Sequence, residues 1–233
     1  TCAAALGPGM SKRALERRLA EVRDFEEPRA ELEQYATPAD LAAHLVHLAD
    51  VHGDVAGRTV VDLGTGTGVL ALGAATRDPA RVVAVDVDRD ALDRARESEH
   101  RVEPAVGVDW VRGDATRRPL CTGGRDAGAD VTVVMNPPFG AQRGNEHADR
   151  AFLDAAASLS DVSYSIHNEG SREFVEAFAA DAGGAVTHAF RAELPLDRQF
   201  AFQRERRRVL DAEVFRIEWS TSGTSDGRSR GGR

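Results

Sequence analysis

The sequence predicts an α/β fold with a seven-stranded, mostly parallel sheet, helices on both faces and an antiparallel C-terminal hairpin. Three observations support this prediction. Apolar segments rich in Val alternate with helical stretches, as in consecutive βαβ units. The last two strand candidates follow each other with no helix between them. The chain has 233 residues, 42% of them hydrophobic and 29% charged, which suits one globular domain.

The strands and helices can be located from their patterns. Parallel strands are predicted at residues 59–63, 81–85, 106–112, 131–135 and 162–166. Helices are predicted between them at residues 69–76, 90–99, 146–159 and 171–181. Because the strands carry few polar residues on either face, the sheet should be covered on both sides. Residues 185–194 and 208–219 should pair as an edge hairpin, beside a parallel part of order 3-2-1-4-5.

The N-terminal region is expected to be helical. Residues 11–27 form an amphipathic pattern with Leu15, Leu19 and Val22 on one face, and Pro28 should end that helix. A second helix is predicted at residues 39–51, with Thr37 as its N-cap, Pro38 at the first helical position and Asp40 completing a capping box. We therefore divide the chain into an N-terminal extension (1–27), one domain (28–219) and a flexible Gly/Ser/Arg-rich tail (220–233).

Composition narrows the classes of function. No apolar run approaches the roughly 20 residues of a membrane span, and no signal-peptide pattern is present, so we expect a cytoplasmic protein. Initiation at Met10 and an earlier start both remain open. Cys2 and Cys121 belong to no ligand cluster, so we expect neither a disulfide nor a metal. The net charge of -8 argues only weakly against nucleic acid, because a chain whose only lysine is Lys12 has the composition of a salt-loving microbe's protein.

The first chemical motif is a glycine-rich turn that leaves a strand and opens a helix. It reads Asp62-Leu63-Gly64-Thr65-Gly66-Thr67-Gly68-Val69. Glycines there let the backbone approach a ligand closely. A dinucleotide fingerprint would place the third glycine one residue later, so a nicotinamide-dependent reductase is disfavoured. The spacing favours S-adenosylmethionine as the cofactor, and we name Asp62, Gly64, Gly66, Thr67, Gly68 and Val69 of this turn as cofactor-binding residues.

Acidic residues follow the next two strands. Asp86 is predicted to accept hydrogen bonds from ribose hydroxyls, whereas Asp88 or Asp90 fits a helix cap. Asp114 and the Ala115 amide, after the third strand, are candidates for the cofactor's adenine; a solvated loop aspartate is the alternative.

The motif Asn136-Pro137-Pro138-Phe139 after the fourth strand indicates the reaction. An amino group on a planar ring is a poor nucleophile because its lone pair is delocalised. Oxygens of Asn136 and Pro137 can each accept one N–H and localise that lone pair, and two prolines stiffen the acceptors. Phe139 offers a face on which an unpaired base can stack. We therefore name Asn136 to Phe139 as catalytic residues.

These motifs, with further segments, resemble the methyltransferase-like protein five family. The segments are Leu32-Glu33-Gln34-Tyr35-x-Thr37, Ala151-Phe152-Leu153, Tyr164-Ser165-Ile166-His167 and Glu193-Leu194-Pro195. The resemblance implies a Rossmann-like class I methyltransferase that forms N6-methyladenosine in small-subunit ribosomal RNA. It also implies that Gln34 and Thr37 contact the cofactor, together with Gly64, Thr67, Val69, Asp86, Asp114 and Ala115. Thr65 and Thr67 stand where family members often have cysteine.

The resemblance also suggests partners. A small zinc-binding activator protein would pair with the edge strand 106–112, where Val106, Val108 and Trp110 alternate on one face; alternatively, that face packs on a helix of the same domain. Candidate phosphate contacts are Arg204, Arg206, Arg207 and Arg208, with Arg228, Arg230 and Arg233 in the tail. His167 and Asn168 fit either a substrate-side or a structural role.

Two rival functions remain after these comparisons of motifs. A methyltransferase acting on the amide N5 of a glutamine in a translation release factor needs the same paired acceptors, although that class usually has Tyr where this chain has Phe139. A non-catalytic RNA-binding module that keeps the fold is the third interpretation.

Overall fold

The chain forms one twisted sheet of seven strands within the residues that the structure, a computed structural model, describes: 10–117, 130–138, 148–197 and 207–220. The strands are β1 (Thr59–Leu63), β2 (Arg81–Asp86), β3 (Val108–Arg112), β4 (Val131–Met135), β5 (Val162–Asn168), β6 (Gly184–Asp197) and β7 (Arg207–Trp219). Their order is β3-β2-β1-β4-β5-β7-β6. The first five are parallel, whereas β7 pairs antiparallel with β5 and with β6. The predicted fold class, order and edge hairpin are confirmed.

Helices cover both faces of this sheet. They are α1 (Lys12–Leu19), α2 (Ala39–Val51), α3 (Val69–Ala75), α4 (Arg89–Val102), α5 (Ala148–Leu159) and α6 (Arg172–Asp181). Adjacent strand residues point to opposite faces, so Val60 joins the core beneath α1–α3 and Val61 joins the core beneath α5 and α6. All five residues of β4 are buried, as expected for a central parallel strand.

The first helix is shorter than predicted. It ends at Leu19 rather than continuing to residue 27, although Ser11 caps its start and Leu15 and Leu19 are fully buried as expected. Beyond it, the Arg23 amide donates to Ser98 Oγ of α4 at 3.0 Å. Residues 21–27 are thus not helical, and Phe25 among them lines the cavity described below.

Two further predictions of local structure are wrong in detail. Pro38 has an extended backbone (ψ 144°) and is itself the N-cap of α2, so the helix begins at Ala39 and Thr37 lies one residue outside the cap. Strand β3 begins at Val108 rather than at residue 106, because the Val106 amide donates to the Ala75 carbonyl at 3.2 Å instead of joining the ladder.

A buried ion pair fixes the hairpin to the parallel sheet. Arg216 Nε of β7 donates to Asp54 Oδ2 at 2.8 Å, and the Tyr164 hydroxyl of β5 donates to the same oxygen at 2.6 Å. The Arg216 and Asp54 side chains are each 7% exposed. Since Asp54 follows α2, this contact also holds α2 against the sheet.

Candidate active site

A cavity of about 350 Å³ opens at the carboxyl ends of the parallel strands. Its size is in the range of small-molecule sites. The strand register explains its position, because Leu63, Val85 and Met135 lie side by side at the ends of β1, β2 and β4. The loops that follow these strands therefore surround one space. The residues predicted from sequence that line it are Gln34, Thr37, Gly64, Gly66, Thr67, Val69, Asp86, Asp114, Ala115, Asn136 and Pro138.

The glycine turn between β1 and α3 forms a narrow cradle in the cavity wall. Gly66 has φ +54°, a left-handed conformation that side chains disfavour. A Cβ added at Gly66 would lie 2.9 Å from the Phe25 ring, and one added at Gly64 would lie 2.9 Å from the Phe152 ring. Both contacts are shorter than van der Waals separation. The turn thus keeps its close approach to the two rings only with glycine at these positions.

Asp62 and Gly68 lie beneath the turn rather than in the cavity wall. Asp62 is 1% exposed, and its Oδ2 accepts from Thr65 Oγ1 at 2.6 Å and from the Ala71 amide at 3.0 Å. Burial raises the pKa of this carboxyl to about 7. Gly68 faces Trp110, to which an added Cβ would approach within 2.6 Å. Both residues determine the shape of the turn from below.

Asp86 connects the turn to the end of β2. Its Oδ2 accepts from the Gly66 amide at 2.8 Å, and its Oδ1 accepts from the Asp88 amide, also at 2.8 Å. Burial raises the pKa of the Asp86 carboxyl above its ordinary value. Each carboxylate oxygen has a second lone pair, so Asp86 can still accept from a ligand hydroxyl.

Asp114 and Ala115 form the wall after β3. Asp114 Oδ1 accepts from the Thr116 hydroxyl at 2.6 Å and from the Thr116 amide at 2.9 Å, and its Oδ2 lies 3.1 Å from Arg117 Nε. Hydrogen bonds from Thr116 lower the pKa of the Asp114 carboxyl, so it is ionised at neutral pH. Ala115 is 4% exposed and begins a short 3₁₀ turn.

Gln34 holds the segment that crosses the cavity before α2. Its Nε2 donates to Asp88 Oδ2 at 2.6 Å, and its Oε1 accepts from the Arg29 amide at 2.8 Å. Asp88 Oδ1 also accepts from the Asp90 amide at the start of α4, which is the helix-cap role considered for it. The Gln34 amide is therefore engaged at both ends within the protein.

Asn136 lies at the end of β4, directly after Met135. Its Nδ2 donates to Thr37 Oγ1 at 2.9 Å. Its Oδ1 is buried and, among the described residues, has no hydrogen-bond partner. A buried acceptor without a donor costs free energy, and this one belongs to a residue of the cavity wall, where a bound substrate can supply the donor. Pro137 is buried and Pro138 lines the cavity, whereas Phe139 lies outside the described residues.

Three aromatic residues of the cavity were not identified from sequence. Phe25, Tyr35 and Phe152 all line it. A single aromatic residue in the charged stretch Asp24-Phe25-Glu26-Glu27 was the available signal for Phe25. Phe152 belongs to a segment that carries the family resemblance, but no role in the cavity was predicted for it, because its place on the inner face of α5 resembles that of an ordinary core residue.

Other candidates do not line the cavity or lie outside the described side chains. His167 is 2% exposed, approaches Ser165 Oγ at 2.9 Å and packs edge-on against Phe215, and burial lowers its pKa to about 4. This neutral histidine favours the structural interpretation. Arg204, Arg206 and the tail arginines lie outside the described residues, as do the side chains of Arg207 and Arg208.

The residues present fit an S-adenosylmethionine molecule. Gly64 and Gly66 present backbone to the cavity, Asp86 and Asp114 supply carboxylate acceptors, and the cavity has a suitable volume. Within the described ranges, the helices are too short or too polar to cross a membrane.

Comparisons with known proteins identify the family of the chain. Residues 39–162 match the methyltransferase small domain family. The chain is 34% identical over 214 residues to the rRNA N(6)-adenosine-methyltransferase METTL5 of Danio rerio, covering 91% of this chain and 99% of the relative. It is 31% identical to Mettl5 of Drosophila melanogaster, covering 90% and 97%. The structure of PH1948 from Pyrococcus horikoshii superposes with a TM-score of 0.79 at 36% identity, covering 90% of this chain and 98% of that one. The chain is a class I methyltransferase of the methyltransferase small domain family, and within it belongs to the METTL5 family of rRNA N(6)-adenosine-methyltransferases.

Proposed function

We propose that this protein transfers the methyl group of S-adenosylmethionine to the N6 amino group of an adenosine in small-subunit ribosomal RNA. The observation that carries the proposal is the buried Oδ1 of Asn136, an acceptor without a partner among the described residues. It lies in the wall of a cavity whose other side is the glycine cradle. The names of the METTL5 relatives support adenosine N6 as the acceptor and ribosomal RNA as the substrate.

The Asn-Pro-Pro corner increases the nucleophilicity of the amine by accepting its hydrogen bonds, and no strong general base is needed. S-adenosylmethionine supplies an electrophilic methyl group when bound. Asn136 Oδ1 accepts one N–H of the adenine amine and the Pro137 carbonyl accepts the other, which localises the nitrogen lone pair. Both acceptors are held before the substrate arrives, because proline restricts the backbone and Thr37 holds the Asn136 amide. Positioning then supplies most of the remaining rate enhancement.

The cofactor would be held on the opposite side of the cavity. Asp86 would accept from its ribose hydroxyls, and Asp114 with the Ala115 amide would contact its adenine ring. Gly64 and Gly66 line the same cavity and would present their backbone to the cofactor. Gln34 contributes by fixing the crossing segment to Asp88, and Phe139, outside the described residues, would stack on the target base.

The experiment is methyl transfer from radiolabelled S-adenosylmethionine to unmethylated small-subunit ribosomal RNA and, in parallel, to a translation release factor. We expect label in RNA alone, at the N6 position after digestion to nucleosides. Asn136→Ala should lower kcat about 10²–10³-fold, as for loss of one preorganised electrostatic contact, while the Kd for S-adenosylmethionine changes little. Label in the release factor would instead identify the glutamine-amide reaction, which the relatives do not favour.

We also propose that a small zinc-binding activator pairs with edge strand β3 in the cytoplasm. The support is that β3 is at the edge of the sheet and pairs only with β2 among the described strands. Trp110 points into the domain instead, where its Nε1 donates to Glu99 Oε2 at 2.8 Å. A partner would therefore use the strand backbone. Co-purification of such a protein, lost when Arg112→Pro removes a β3 backbone donor that faces away from β2, tests the proposal; an unchanged complex would contradict it.

A further inference from the structure

Phe25 lines the cofactor cavity although it is outside both hydrophobic cores. It comes from the N-terminal segment, ahead of the residues 39–162 that match the methyltransferase small domain family. The ring is half-buried, and in the part of the chain that the structure describes it belongs neither to the core beneath α1–α3 nor to the core beneath α5 and α6. Core packing therefore does not account for an apolar ring at this place.

Contacts with α4 hold Phe25 in place from both sides. Two residues before it, the Arg23 amide donates to Ser98 Oγ at 3.0 Å. Directly after it, Glu26 forms an ion pair with Arg94, whose side chain is 17% exposed. Because both anchors belong to one helix, the ring is in place before a ligand arrives and loses little freedom when one binds.

The Phe25 ring meets the glycine turn at Gly66. Its tip, Cζ, is the atom nearest to the place that a Cβ of Gly66 would occupy, at 2.9 Å. The amide of the same glycine donates to Asp86 Oδ2 at 2.8 Å. The Phe152 ring lies against Gly64 instead. Of these two rings, Phe25 is therefore the one beside the carboxylate that is proposed to bind the ribose hydroxyls.

Phe25 also borders a second, smaller cavity. This cavity of about 150 Å³ lies between the N-terminal segment and the start of α4, and Phe25 lines both it and the cofactor cavity. The polar residues of its wall include Arg29, Asp88, Asp90 and Arg94. Removal of the ring should join the two spaces and bring water to the Asp86 side of the turn, where water would compete for the hydrogen bonds of the ribose.

From these contacts we infer that Phe25 is a further binding residue for S-adenosylmethionine: its ring covers the ribose side of the cofactor and shields the hydrogen bonds between the ribose and Asp86 from water. The inference rests on the proposed function, in which Asp86 accepts from the cofactor ribose. It deepens that function by adding a contact from outside the matched family domain. A covered ribose leaves the site more slowly, so the effect should appear mainly in the dissociation rate.

The test compares Phe25→Ala, which removes the ring, with Phe25→Leu, which keeps part of the apolar cover. For Phe25→Ala we expect the Kd for S-adenosylmethionine, measured by calorimetry, to rise about 5- to 30-fold, as for the partial burial of one aromatic side chain. The dissociation rate, followed as release of radiolabelled cofactor into excess unlabelled cofactor, should rise by a similar factor. Phe25→Leu should lie between Phe25→Ala and the natural protein. An unchanged Kd in Phe25→Ala would overturn the inference.

Phe174→Ala is the matched control. Phe174 of α6 is also half-buried, but it packs against the core beneath α5 and α6 and does not line the cavity. Its removal should leave the Kd unchanged. Urea denaturation of the cofactor-free proteins separates binding from folding: because Phe25 is in neither core, Phe25→Ala should shift the midpoint less than Phe174→Ala does. A larger shift in Phe25→Ala would show a structural role and contradict the inference.

The shielding itself is tested in an Asp86→Asn background. If the ring protects the hydrogen bonds of Asp86, Phe25→Ala should raise the Kd by a smaller factor in Asp86→Asn than in the natural protein. Equal factors would show that the ring does not act on the ribose contact, and the inference would be wrong. A natural protein that binds S-adenosylmethionine without methylating RNA would refute the proposed function alone. An active protein whose Phe25→Ala variant keeps the natural Kd would refute the inference alone.

Discussion

The glycine turn after β1 and the Asn-Pro-Pro corner after β4 end neighbouring strands but present different groups to the cavity. At the turn, the Gly66 amide donates to Asp86 at the end of β2, and Oδ2 of the underlying Asp62 accepts two hydrogen bonds; Asp62 Oδ1 has no partner among the described residues but lies beneath the turn, away from the cavity wall. At the corner, Asn136 makes one contact through Nδ2 and leaves Oδ1 without a partner among the described residues.

The difference indicates a division of work within one cavity. The shape of the turn is fixed by hydrogen bonds within the protein. It can therefore bind a cofactor through its backbone and the shape of the cavity, because its groups need not rearrange. The Asn136 Oδ1 acceptor gains a hydrogen bond only when the substrate amine supplies the donor. It can therefore stabilise the complex in which the methyl group is transferred. Changes to the turn should then affect stability and cofactor affinity, whereas changes to the corner should affect kcat.

The largest effect should come from Gly68→Ala, which places a methyl group between the turn and the side chains packed beneath it. The new methyl would combine a left-handed backbone (φ +88°) with contacts of 2.6 Å to Trp110 and 3.0 Å to Ala95. We expect a loss of about 2–6 kcal/mol in the free energy of unfolding, measured by urea denaturation. Gly53→Ala is the matched control, since Gly53 has φ +75° but no heavy atom within 4 Å of the added Cβ. Equal losses in the two variants would contradict the steric explanation.

Asp62 should give the turn a pH-dependent stability. Burial raises the pKa of Asp62 to about 7, above the value near 4 expected in the unfolded chain, so the folded state binds this proton more tightly. Its stabilising contribution is complete below pH 4 and is lost as pH rises to about 7. Between pH 4 and pH 7, we expect the natural protein to lose about 2–4 kcal/mol of unfolding free energy relative to Asp62→Asn, whose side chain does not titrate. Parallel pH profiles would show that Asp62 is ionised throughout.

Much of the fold was visible in the sequence because parallel strands buried on both faces appear as uninterrupted apolar runs. Residues 131–135, for example, were located as β4 with their observed bounds. The end of α1 was not predicted, because the residues after it contact a distant part of the chain: the Arg23 amide donates to Ser98, 75 residues away. The displaced cap of α2 had a similar cause, since the Thr37 hydroxyl is bound by Asn136.

The candidate site was predictable where a motif follows a strand, because the carboxyl ends of parallel strands meet at one edge. This reasoning located Gly66, Asp86 and Asn136, but it could not separate residues that line the cavity from those beneath it. Asp62 belongs to the same motif as Gly64 yet lies under the turn. Phe25 and Phe152 reach the cavity from helices and loops whose placement depends on tertiary packing.

The smallest effect expected is that of Asp86→Asn, and it separates affinity from chemistry most directly. Asn at this position keeps one oxygen, so one of the two backbone amides of Gly66 and Asp88 would face an NH₂ group instead of an acceptor. The turn loses one internal hydrogen bond and the cofactor loses one acceptor for its ribose. Together these losses should make the binding free energy of S-adenosylmethionine less favourable by about 1–3 kcal/mol. Because Asp86 is at the end of β2 and Asn136 at the end of β4, kcat at saturating cofactor should remain close to that of the natural protein. Calorimetric titration and steady-state kinetics on the same preparation measure the two quantities. A fall in kcat without a change in Kd would show that the turn takes part in the chemical step. The assignment of cofactor binding to the turn and of chemistry to the Asn-Pro-Pro corner would then be wrong.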